Sequence, residues 1–82
     1  MVAGMDGMVS LVTAPLGVPM TLVTCVLDSA LRGRLSILGL RPGAHVEVLH
    51  DTPGGGRVVA VAGSRVALDR NVLKSLTARL AA

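Results

Sequence analysis

Apolar residues in this chain follow two rhythms, and the change from one to the other falls near its middle. Leu31, Leu35 and Leu38 recur at i, i+4 and i+7, the spacing that lines one face of a helix. Asp28 or Ser29 stands ahead of them and can accept a backbone N–H at the helix start, while Arg32 and Arg34 fall off the leucine face, towards water. Gly39 follows the last of these leucines, where helices commonly close on a left-handed residue, and Leu40 can fold back over the final turn. Together these signals predict a helix of about ten residues.

Beyond the helix, Pro42 pushes Arg41 to extended backbone, and Pro42 and Gly43 suit the two central positions of a type II turn. The rhythm then becomes period two. In AHVEVLH, Val46 and Val48 share one face and His45, Glu47 and Leu49 take the other, as on a half-buried strand. DTPGGG reads as a loop, RVVAVA as another strand, and Gly63-Ser64 as a tight turn into RVALD. Residues 71 to 76 suit a short helical turn, and residues 77 to 80 a last strand closing against the first.

That first strand is predicted over residues 20 to 27, where β-branched Thr21, Val23, Thr24 and Val26 prefer extended backbone. Residues 9 to 14 read as a lead-in, followed by a turn at PLGVP. Residues 7 to 27 carry no charge and are long enough to cross a bilayer, but Pro15, Gly17 and Pro19 sit at their centre and no Lys or Arg precedes them. The segment is therefore read as two pieces. The expected organisation is a flexible terminus over residues 1 to 9 and one domain over 10 to 82. Within it, five short strands, one helix between strands 1 and 2, and a helical turn before the last strand describe a mainly β, small barrel.

Composition narrows the function. Apolar residues make up 51% of the 82 residues, yet Phe, Tyr and Trp are absent, so Val, Leu, Ile, Met and Ala must build the core. Without aromatics, base-stacking binders of single-stranded nucleic acid and proline-peptide grooves become poor fits. The net charge is +3, and the eight basic residues come singly, which is the pattern of a solvated face. A single cysteine, Cys25, permits no intramolecular disulfide, fits a reducing cytoplasm, and reads as a small buried residue.

Catalytic and metal chemistry find little support. Cys25, His45, His50 and Asp51 are the candidate ligands, but His45 and His50 are an odd number of positions apart, so a regular strand puts them on opposite faces unless a bend or bulge intervenes. No metal site is assigned. The GGG of the loop lacks the Lys-Ser/Thr and following helix of a phosphate-binding loop and reads as a hairpin tip. No carboxylate pair or nucleophile with a supporting base appears, so the expectation is a binding module with no catalytic residue and no cofactor.

Taken in order, PMTLVTCVL, ALRGRLSILGL, RPG, HVEVLH, TPGGG, RVVAVAGSRVALD and NVLKSLTARL resemble the ferrous iron transport protein A (FeoA) family across residues 10 to 80. The most specific element is R-L-x-x-L-G-L-x-P-G, present as Arg34, Leu35, Leu38, Gly39, Leu40, Pro42 and Gly43, with G-S-R-V-A-L at residues 63 to 68 in support. The resemblance implies an SH3-like barrel in the cytoplasm, assisting a large membrane ferrous iron transporter, FeoB, that carries a cytosolic GTP-binding domain. Contact with the membrane would be through the transporter alone. The same fold closes iron- and manganese-dependent repressors, a context that is disfavoured, since no helix-turn-helix domain is expected ahead of the barrel.

On this reading Arg34, Leu38, Leu40 and Arg41 are expected to meet the partner, and Leu35, Gly39, Pro42 and Gly43 to shape the motif. Two other readings compete. One is a small basic barrel that binds RNA or ribosomes, disfavoured by the missing aromatics and lysine clusters; the other is a direct transition-metal sensor using the histidines and Cys25. Self-association into a homo-oligomer stays open.

Overall fold

The computed structural model describes residues 7 to 25 and 29 to 80, with the side chains of Thr24 and Cys25 left aside. The expected burial of Cys25, the end of the first predicted strand and an Asp28 cap thus lie outside the described residues. The elements run β1 (Met8–Ser10), β2 (Met20–Cys25), α1 (Ser29–Ile37), β3 (His45–Asp51), β4 (Arg57–Val61), β5 (Ser64–Leu68), α2 (Arg70–Lys74) and β6 (Leu76–Leu80). The strands form one antiparallel sheet in the order β1-β6-β2-β3-β4-β5, the SH3-like barrel wound around a single core.

The sheet has six strands where five were expected. The additional one, β1, falls in the lead-in and starts at Met8, ahead of the boundary expected at residue 10; it pairs Met8 with Arg79 and Ser10 with Thr77. Three residues are too few to display an alternation in sequence. The last strand does close against the predicted first one: β6 pairs with β2 from Met20↔Leu80 to Cys25↔Leu76. α2 starts at Arg70, a residue earlier than expected, because Asp69 is its N-cap and accepts the Val72 N–H at 2.8 Å.

Val46 and Val48 of β3 point into the core as the alternation requires, facing Val61 and Val59 of β4. Leu11, Met20, Leu22, Leu40, Leu73 and Leu76 are the largest fully buried side chains with Val48 and Val59, and among the described residues no polar or charged one is buried. Branched aliphatic chains pack a tightly curved interior with little wasted volume.

Two local features were not evident from pattern. The turn between β4 and β5 is Ala62-Gly63, one residue earlier than expected, since Val61 pairs with Ser64. Both turn residues have positive φ, 52° for Ala62 and 78° for Gly63, as a type I′ hairpin demands. Arg57, expected on a solvated face, is instead a clamp: its Nη1 donates to the carbonyls of Leu11 at 2.8 Å and Ala14 at 2.7 Å, while its Nε donates to Asp51 Oδ1 at 2.6 Å. The segment leaving β1 is thereby tied to the β3–β4 hairpin.

Candidate partner-docking surface

The motif that closes α1 is built around Gly39. Its φ of 97° turns the chain out of the helix, the Leu40 N–H reaches the Leu35 carbonyl at 2.9 Å, and the Gly39 N–H reaches the Ser36 carbonyl at 2.9 Å. These are the two bonds of a Schellman cap, and its usual apolar contact is met by Leu40 and Leu35, both buried in the core. A Cβ on Gly39 would stand 3.0 Å from the Ala62 Cβ, so the cap also lies flat against the β4–β5 turn.

The next four residues fix the direction of exit. The Ala44 N–H bonds to the Arg41 carbonyl at 3.0 Å across Pro42 and Gly43, and Gly43 has a φ of 93°, the type II turn expected there. The Gly43 N–H then bonds the Leu22 carbonyl at 2.7 Å and the Leu22 N–H the Ala44 carbonyl at 2.8 Å, which fastens the turn to β2.

The structure divides the residues expected to meet a partner. Arg34 and Arg41 are exposed, and Leu38 is 45% exposed. Leu40 is wholly buried and therefore has no side-chain surface to present; its place is in the core. Leu38 was expected beside Leu31 and Leu35 on the inner face, but the helix ends at Ile37, and Leu38 sits in the cap, where the helical spacing no longer governs its direction. Ile37, not singled out from sequence, is 85% exposed. The signal for it was present: at about 100° per residue it lies some 200° beyond Leu35, on the far side of the helix.

Residues 29 to 46 hold Arg32, Arg34 and Arg41 and no carboxylate. Among the described residues the salt bridge is Arg57 with Asp51, remote from α1 in sequence, and neither Arg34 nor Arg41 has one. Beside the cap lies a depression of about 360 Å³ lined by Gly39, Arg41, Pro42, Gly43, Ala44, His45, Val61 and Ala62. His45, Val61 and Ala62 also line a second depression, of about 480 Å³, that extends over Glu47 to Pro19.

The histidines need a correction. β3 carries a bulge between Val48, opposite Val59, and His50, opposite Val58, so the extra residue Leu49 resets the alternation and the opposite-face argument does not hold. Among the described residues no three or more His, Cys, Asp or Glu side chains group as a metal site would require, and no helix is long and apolar enough to cross a membrane.

The FeoA domain family matches residues 9 to 79 of the chain. No curated protein matches the sequence. Among solved structures, the crystal structure of an iron uptake regulatory protein (FeoA) is similar at 27% identity, covering 90% of this chain and 99% of that one with a TM-score of 0.81. The FeoA protein from Chlorobium tepidum is similar at 28% identity, with 90% and 71% coverage and a TM-score of 0.82. A manganese-dependent transcriptional repressor shares the fold at 15% identity and a TM-score of 0.81, with 93% of this chain lying on 43% of the repressor.

Proposed function

Because the chain belongs to the FeoA domain family, with a role in ferrous iron transport, we propose that it acts as an accessory protein docking on the cytosolic GTP-binding part of an FeoB-type membrane transporter and modulating iron uptake. The family match across residues 9 to 79 carries the proposal. It is supported by the division of labour in the motif: Leu35, Gly39, Leu40, Pro42 and Gly43 build a rigid corner, and Arg34, Leu38 and Arg41 stand on its outside. A surface held by a completed cap and turn loses little freedom when a partner arrives.

The test is association. The chain, immobilised, is expected to retain the cytosolic portion of its cognate transporter, and a strain deleted for it is expected to take up ferrous iron more slowly. No association together with unchanged uptake would overturn the proposal.

A further inference from the structure

Resting on that reading, we infer that the partner contacts the α1 corner through an acidic segment with an apolar anchor, and that Ile37 and Leu38 with Arg34 and Arg41 receive it. Arg34, Ile37, Leu38 and Arg41 are all exposed, and they stand within eight consecutive residues at the end of α1 and in the cap and turn that follow it, so two aliphatic side chains and two guanidinium groups share the outside of the corner. Apolar side chains at 85% and 45% exposure, side by side, keep water against hydrocarbon that a partner would cover.

The charge around them selects the occupant. With no carboxylate from residue 29 to 46 and no salt bridge to either arginine among the described residues, the rim presents donors with unspent capacity. Arginine pairs with carboxylates through two parallel hydrogen bonds, a geometry a diffuse cationic face lacks. A peptide segment whose Asp or Glu residues flank a large aliphatic or aromatic residue matches those groups, with the anchor over Ile37 and Leu38 and the carboxylates at Arg34 and Arg41. A second copy of this chain would bring arginines against arginines, and is disfavoured for that reason.

The experiment measures binding of the full chain to the cytosolic portion of its cognate transporter by calorimetry at low and high salt. Wild-type affinity is expected to fall with salt, and the Arg34→Glu/Arg41→Glu variant to bind at least about tenfold more weakly at low salt with the salt dependence lost. Ile37→Ser is expected to weaken binding at both salt concentrations while keeping the salt dependence. Unchanged affinity in both variants, with wild-type binding intact, overturns this inference and leaves the docking function standing; absence of wild-type binding overturns both. Binding of the wild type to phosphatidylglycerol vesicles that the charge-reversed variant loses, or self-association that Ile37→Ser abolishes, would assign the corner to a lipid surface or to a second copy and overturn it as well. All three side chains are exposed, so unchanged thermal melts are expected to accompany these effects.

Discussion

Gly39 meets two demands at once, a positive φ of 97° and an approach of 3.0 Å between the Ala62 Cβ and any Cβ placed on it. Gly39→Ala is therefore expected to cost about 1 to 2 kcal/mol from the left-handed backbone alone, plus a contribution from the contact, measured by urea unfolding. In an Ala62→Gly background the contact vanishes while the backbone strain stays, so the cost of Gly39→Ala is expected to shrink without disappearing; strict additivity would show that the contact contributes nothing. Ala62 itself adopts a conformation that asparagine tolerates better, and Ala62→Asn is expected to raise stability by about 0.5 to 1 kcal/mol. Gly39 was legible because a glycine after a leucine-spaced run has one common use. Ala62 was not, because alanine gives no warning of a positive φ, and the turn was placed one residue late at Gly63-Ser64.

At the scale of elements, the informative side chain is Arg57. Its guanidinium serves the carbonyls of Leu11 and Ala14, on residues that are themselves buried, and also the exposed carboxylate of Asp51, whose side chain is 62% exposed. The two kinds of bond differ in weight. Arg57→Met strands the carbonyls of the β1 segment and is expected to cost about 2 to 3 kcal/mol, whereas Asp51→Ala removes a solvent-screened pair and is expected to cost less than about 1 kcal/mol; chemical denaturation of both variants checks the order. Equal costs would mean that the salt bridge, not the carbonyl clamp, holds the segment. Sequence pattern could not assign this role, since Arg57 and Leu11 are 46 positions apart and isolated arginines look alike. The same holds for β1, too short to alternate, and for the bulge at Leu49, which leaves the residue spacing untouched while reversing the faces beyond it.

For the whole molecule, the buried residues that fold the chain are distinct from the exposed ones at the end of α1. At roughly 0.05 to 0.15 kcal/mol per residue a domain this small has only about 4 to 12 kcal/mol of stability. Leu40→Ala, in a wholly buried position, is expected to remove about 2 to 4 kcal/mol of that, visible as a large drop in melting temperature, while Ile37→Ser is expected to stay within about 0.5 kcal/mol. A binding defect in the first variant would report on folding and in the second on contact. The sequence motif mixed these two classes because a leucine beside a glycine reads the same whether it turns inward, as Leu40 does, or outward, as Leu38 does. The general architecture was readable from rhythm and turn chemistry, because both act over a few residues; which arginine is structural and which leucine faces water depends on where distant segments meet.

The position of β6 also bears on when the protein can form. It is the final described strand, yet it lies between β1 and β2 and bonds to both, with the Leu80 N–H reaching the Gly7 carbonyl at 2.7 Å. During synthesis, a chain halted before residue 76 would already hold α1 and the β3–β4–β5 strands, but β1 and β2 would have nothing between them. Pairings of such sequence separation form slowly. The middle of this barrel therefore waits on β6, the strand that joins its two earliest ones.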